Sequence, residues 1–174
     1  MTFSDLLQQQ QSEGFPDLAG AEATATIPIS ERLVNDLLSQ SLANNSRVRE
    51  VRVTVEDGNR LTLHIKPGGP SFLPSIPVTL AIEDQPALPD RPTLALRLVI
   101  AAALAAMAGT FVPMVTSQLP PGVSMEGGDR ILIDIRRMLA EQKAERWLDF
   151  ITDLRVTTRA GAIVLDVRAK VGPK

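Results

Sequence analysis

The chain has 174 residues, 22% of them charged, with a formal net charge of −2; this length suits one domain able to bury about 70% of the surface its unfolded form exposes. It contains no Cys, which excludes disulfides, thiolate zinc sites and cysteine nucleophiles, and it lacks the basic excess of a general nucleic-acid binder. Aromatic residues make up only 3%, with one Trp and no Tyr; such side chains dominate binding hot spots and stack on bases, so nucleic acid is not an expected partner and aliphatic packing must carry the core.

Residues 1–22 read as an N-terminal tail or linker. Met1 to Gln8 has neither the basic start nor the long apolar run of a secretion signal, and Gln8 to Gln11, Ser12, Glu13, Gly14 and Pro16 are polar punctuation. The expected location is cytoplasmic, an envelope location requiring a leader that was removed. Residues 23–174 read as a single domain. Ala21 to Ile29 alternates as a short strand that Pro28 closes. Ser30 then serves as an N-cap with Glu31 in the first turn, favourable to the helix dipole. Ile29, Leu33, Val34, Leu37, Leu38 and Leu42 follow at helical spacing, so an amphipathic helix is expected to end near Asn44 and Asn45.

Val48 to Lys66 is the clearest hairpin. Val51, Val53 and Val55 face one way, Glu56 to Asn59 turn, and Leu61, Leu63 and Ile65 return, leaving Arg52, Thr54, Thr62, His64 and Lys66 on the wetter face. After the loop Pro67 to Pro74, a strand begins with Val78, Leu80 and Ile82. Pro86, Pro89 and Pro92 then punctuate an exposed connection before a strand over Thr93 to Ile100.

From Leu98 to Met125 the chain carries no Asp, Glu, Lys or Arg, so this stretch must be buried or bound. The alternation of Leu94, Leu96, Leu98 and Ile100 gives way to the Ala-rich run Ala101 to Ala108, a strong helix former. A membrane span needs about 20 consecutive apolar residues, and Gly109, Thr110 and Pro113 interrupt this run. A central helix covered by a sheet is therefore expected, with Leu119 to Gly122 as its stop.

Arg130 to Ile135 reads as a strand that turns into a helix over Arg136 to Phe150, with Met138, Leu139, Trp147, Leu148 and Ile151 on its buried side. A last hairpin runs out through Leu154, Val156 and Thr158, turns at Arg159 to Ala162, and returns through Ile163, Leu165 and Val167. The two hairpins align: Val51 to Thr54 with Leu154 to Thr157, Gly58 with Gly161, and, after one inserted residue, Leu61, Leu63 and Ile65 with Ile163, Leu165 and Val167. Each follows a strand and a helix, so the expected fold is α+β, an antiparallel sheet covering a central apolar helix, with two strand-helix-hairpin units.

The segment Ala25-Thr26-Ile27-Pro28-Ile29-Ser30-Glu31-Arg32-Leu33-Val34-Asn35-Asp36-Leu37-Leu38 resembles the strand, Ile-Pro, helix, Asn-x-Leu opening of small bacterial lipid-binding proteins related to the tubular lipid-binding (TULIP) superfamily. The later pattern Leu119-Pro120-x-Gly122-Val123, then Ile131 to Ile135, a helix and a closing hairpin is similar too. The resemblance spans roughly residues 23–170 and rests on element order and short patterns. The resemblance implies a long, strongly curved antiparallel sheet wrapped around the central apolar helix, with an apolar groove that holds acyl chains; members are usually exported or membrane-tethered, a feature this chain lacks a signal for.

The search for catalysis finds little, so no enzyme and no cofactor are expected. The one His, His64, lies on a polar strand face; Gly68-Gly69-Pro70-Ser71 lacks a phosphate-cradling ending; and Ser30, Ser71 and Ser124 lack a nucleophile-elbow context. No metal ligand set is expected. Ala102, Ala105, Ala106 and Gly109 recur at helical spacing and are small. They are candidates, with Leu98, Phe111 and Val112, to line a ligand cavity that Leu104, Met107 and Phe111 help to anchor or close. Arg47, Arg49 and Arg52 are candidates for an anionic head group, although Glu50, Glu56 and Asp57 interleave with them as on an ordinary mixed-charge surface. Two functions stay open. One is non-enzymatic carriage of a lipid or other hydrophobic ligand, with peripheral membrane contact. The other is a structural or interaction module that self-associates, for example as a homodimer, through the apolar stretch.

Overall fold

The computed structural model describes residues 19–42, 48–68, 74–99 and 121–172. Within them the order is β1 (Glu22–Ser30), α1 (Glu31–Leu42), β2 (Val48–Glu56), β3 (Arg60–Pro67), β4 (Ile76–Asp84), β5 (Thr93–Val99), β6 (Val123–Glu126), β7 (Arg130–Asp134), α2 (Ile135–Glu141), a 3-10 turn (Glu145–Asp149), β8 (Ile151–Arg159) and β9 (Ala162–Lys170). The fold is α+β, and every ladder between these strands is antiparallel. The expected central helix falls on residues 100–120, outside the described residues, as does residues 1–18 of the expected tail.

Both hairpins form, but in different sheets, where the sequence suggested one. A three-stranded sheet has the order β1-β9-β8, and a six-stranded sheet the order β2-β3-β4-β5-β7-β6. The reason lies at the edges of β2 and β8, where side chains occupy the backbone groups that a ladder would use. Asn35 on α1 donates from its amide to the Val53 carbonyl at 2.9 Å and accepts from the Val53 N–H at 2.7 Å, and the Glu31 carboxylate accepts from the Val55 N–H at 2.8 Å. Gln85, just past β4, treats Val156 of β8 the same way, with both bonds at 2.8 Å. Val53 and Val156 hold equivalent places in the two hairpins, so each repeat has one edge closed by an amide.

The two sheets meet where the β2–β3 turn docks on β8. Thr158, buried, donates through its hydroxyl to the Glu56 carbonyl at 2.6 Å and accepts from the Arg60 N–H at 3.0 Å. The Asn59 side chain accepts from the Thr158 N–H, Asp57 from the Ala160 N–H, and the Val55 carbonyl from the Gly161 N–H. Asn59 has φ 62° and follows Gly58 at φ 76°, which makes the first turn one residue longer than the second. That extra residue is the one whose side chain reaches β8.

Three further expectations change. Pro28 does not close β1 but pairs in register with Val164. The Ala21 carbonyl and the Glu31 N–H both bond toward β9, and the antiparallel alternation between them points the backbone of even-numbered residues to the free edge. Proline's missing N–H therefore faces outward and costs no ladder bond. Pro86 is buried rather than exposed. The helix expected over Arg136 to Phe150 is two pieces. Asp134 caps α2 by accepting from the Arg137 N–H. The helix stops where Lys143 turns left-handed, with the Lys143 N–H on the Ala140 carbonyl and the Ala144 N–H on the Leu139 carbonyl, which satisfies carbonyls that would otherwise be orphaned. The break turns Leu148 fully inward at 1% exposure while Met138 and Trp147, expected inside, stand 41% and 48% exposed.

Candidate functional site

Alternation in six strands puts aliphatic side chains in rows across one face of the larger sheet. Val55, Leu61, Leu80 and Leu98 form one row; Ile82, Leu96, Ile131 and Met125 the next; Leu94, Ile133 and Val123 a third. Each row crosses the sheet at strand spacing, about 4.8 Å per step, so the face is a continuous aliphatic surface with no charged member among these residues. Leu80, Leu94, Leu96 and Ile131 are buried together with Val156 of the smaller sheet, and Ile163 and Leu165 of β9 pack against that cluster. The apolar faces of the two sheets therefore meet at Val156.

Around the buried cluster the flanking members of the rows are less covered. Leu61, Leu63, Val78, Ile82, Leu98, Val123, Met125 and Ile133 are only half-buried. Leu98, the one candidate lining residue among the described residues, sits in this half-buried part, opposite Leu80. Ala102, Ala105, Ala106, Gly109, Phe111 and Val112 lie outside the described residues.

The opposite face carries an ionic row. Arg60, Ala81, Arg97, Arg130 and Glu126 form a row in register. Arg130 binds Glu83 at 2.9 Å and Glu126 at 3.0 Å, and also pairs with Asp84, while Arg97 shares Glu83. The Arg97 hydrogen bond is the main cause that holds the Glu83 carboxyl below the ordinary glutamate range, against a smaller opposing effect of desolvation. The hydrogen bond to Glu126 leads in raising Arg130 above its ordinary value. Two guanidiniums thus face three carboxylates, and each carboxylate of the cluster is in an ion pair.

The basic hairpin is placed as follows. Arg52 lies on the ionic side of β2, opposite His64, and pairs with Glu50 at 3.1 Å. Arg49 is exposed at the register shift between Val48 and Glu50, and Arg47 lies outside the described residues. Arg52 thus sits across the sheet from the aliphatic rows. Among the described residues no group of three or more His, Cys, Asp or Glu side chains is arranged to hold a metal ion, and no helix is long and apolar enough to cross a membrane.

Sequence reasoning did not single out Gln85, Asn59, Thr158 or the Glu83–Arg130 cluster. A usable signal existed for the last: Arg97 and Arg130 each occupy the polar phase of strands whose other phase is aliphatic. Comparison with protein families, with curated proteins and with solved structures finds no match to this chain.

Proposed function

We propose that the protein is a non-enzymatic binder or carrier of a lipid or other hydrophobic ligand, held against the aliphatic face of the six-stranded sheet. The observation that carries the reading is the set of half-buried aliphatic side chains on that face, Ile82 and Leu98 on one side of the buried cluster and Met125 and Ile133 on the other, which offers apolar contact without directional groups. Burial of each methylene of a bound chain there contributes about 0.8 kcal/mol, so chain length rather than hydrogen bonding would set affinity. The uncharged run from Leu98 to Met125, its small Ala side chains and the resemblance to TULIP-related proteins point the same way. On this reading residues 100–120 supply the central helix and Ala102, Ala105, Ala106 and Gly109 border the ligand, while Arg49 and Arg52, with Arg47, meet anionic head groups of a membrane surface rather than the bound ligand, from which the sheet separates Arg52.

The test compares neighbours on opposite faces of one strand. Leu98 is half-buried on the aliphatic face and Val99 is 50% exposed on the other. Uptake of a fluorescent fatty-acyl probe should be lost in Leu98→Glu and retained in Val99→Glu and Leu98→Met, with circular dichroism checking that all three fold. Native mass spectrometry of gently purified protein should show co-purifying lipid mass. No probe uptake by the unmodified protein, or equal loss in Leu98→Glu and Val99→Glu, would overturn the reading.

A further inference from the structure

The aliphatic face of the larger sheet has a counterpart on the smaller one. β8 meets the end of the larger sheet with its free edge, since Val156, Thr158 and Ala160 direct backbone groups at the side chains of Gln85, Asn59 and Asp57. The smaller sheet therefore stands on that end as the second wall of a corner, with Val156 inside the corner in the buried cluster of Leu80 and Leu96. Residues directly opposite in an antiparallel ladder put their side chains on one face, so the row Val156, Leu165 and Ile27 runs outward along the inner face of this wall. Val156 is 7% exposed, Leu165 is half-buried and still packs against the cluster, and Ile27 is 46% exposed. The next row, Leu154, Val167 and Ala25, follows the same course from buried to half-buried to exposed. Asp153, Arg155, Asp166 and Arg168 fall on the other face, so neither inner row carries a charge.

We propose that this inner face is the second wall of the ligand site, and that the ligand presents an unbranched hydrocarbon chain that lies in the corner between the sheets, along Leu165 and Val167, with Ala25 and Ile27 at the mouth. The inference rests on the proposed carriage of a hydrophobic ligand and adds to it a wall and a ligand shape. The width of the corner selects the occupant. The walls still touch at Leu165 and have parted at Ile27, one strand spacing of about 4.8 Å further out. A gap that opens over so short a distance takes a methylene chain, whose carbons sit about 3.5–4.0 Å from the atoms they touch. It does not take a helix, about 10–12 Å across, or another sheet, which packs about 10 Å away. Neither row offers a side-chain donor or acceptor, so the part of the ligand held here is hydrocarbon, and any polar group it carries stays outside the mouth.

The chain has no Cys, so a single introduced thiol reports on one position. Ile27→Cys and Ala25→Cys place it on the inner face of β1 and Thr24→Cys on the outer face, at three exposed positions of one strand. Dodecanoic acid, kept below the concentration at which it forms micelles and at about ten times its dissociation constant, should slow maleimide labelling of the two inner thiols about tenfold, because only the unliganded fraction reacts. Labelling of Thr24→Cys should not change. Uptake of a fluorescent dodecanoyl probe and the melting midpoint are measured on the unmodified protein and on each variant, and Ala25→Cys keeps the test valid should Ile27→Cys fail to fold. Probe uptake without protection of the inner thiols, or with equal protection of Thr24→Cys, overturns the second wall and leaves carriage on the larger sheet standing. No uptake by the unmodified protein overturns both.

Discussion

Replacing Asn35 with Ala tests whether side-chain amides hold the edges of the fold. Val53 is 3% exposed, and its N–H and carbonyl are both bonded to Asn35. A buried backbone group left without a partner costs about 1–3 kcal/mol, and the low end applies here because the two bonds are only partly buried. Two groups therefore sum to about 2–3 kcal/mol, offset by about 0.5 kcal/mol because Ala is the better helix former. The expected net loss of about 2 kcal/mol corresponds to a fall of about 4–8 °C in melting midpoint for a chain of this size. Thermal and urea unfolding, followed by circular dichroism, measure it. The matched control is Ser39→Ala, one turn along α1, where the hydroxyl bonds only to the Asn35 carbonyl of its own helix at an exposed position. Asn35→Asp adds a sign. One carboxylate oxygen still accepts from Val53, but the other faces its carbonyl, and a proton there restores the lost donor. The carboxyl pKa is then raised in the folded state, so the deficit relative to the unmodified protein should shrink as pH falls through that raised value and be smallest below the ordinary aspartate pKa. An Asn35→Ala loss no larger than that of Ser39→Ala would refute the reasoning.

The ionic face predicts a pH dependence of the opposite sense. Glu83 has its pKa lowered in the folded protein, chiefly by the Arg97 hydrogen bond, so its contribution is present above the ordinary glutamate pKa and lost as pH falls through the depressed value. Urea midpoints of Glu83→Gln and the unmodified protein should differ at neutral pH and converge on acidification; a gap that does not change with pH would count against the cluster. Gly122→Ala should cost more than Gly58→Ala. Both glycines have positive φ, 85° and 76°, which costs an ordinary residue about 1–2 kcal/mol, but only at Gly122 would a Cβ also come within 2.9 Å of Met138 Cγ and 3.0 Å of the Asp134 carbonyl oxygen. Equal losses in paired melts would show that the contact at Met138 yields freely.

Strand positions were legible because one face of each strand is buried. Leu61, Leu63 and Ile65, or Leu94, Leu96 and Leu98, announce a period of two without reference to any partner. The partners were not legible. Alternating aliphatics are interchangeable between strands, so the pattern that located both hairpins was silent on their belonging to separate sheets. That division rests on Asn35, Gln85, Asn59 and Thr158, which in sequence are ordinary polar residues and become specific only when a distant backbone reaches them. The break in the last helix was hidden for a related reason: Lys143 has no signature of left-handed backbone, and Met138 and Trp147 match a helical apolar face that never forms. Of the candidate residues, the place of Leu98 on the aliphatic face was readable from its strand phase, and the ionic side of Arg52 followed from the same alternation.

The pairing of β1 with β9 has a consequence for synthesis. The two ends of this ladder lie far apart in the chain, with the Gly20 N–H donating to the Val171 carbonyl at 2.7 Å. Ribosomes add about 5–20 residues per second, so the first described strand waits on the order of ten seconds for the last one to emerge. During that interval Ala23 to Ile29, which carries no charge, lacks its β9 partner, and an uncharged segment of strand-forming sequence is a template for wrong pairing. A proline whose absent N–H is harmless in the finished sheet interrupts any such mispairing at every moment before it, which gives Pro28 a role in the history of the molecule that its place in the folded ladder does not reveal.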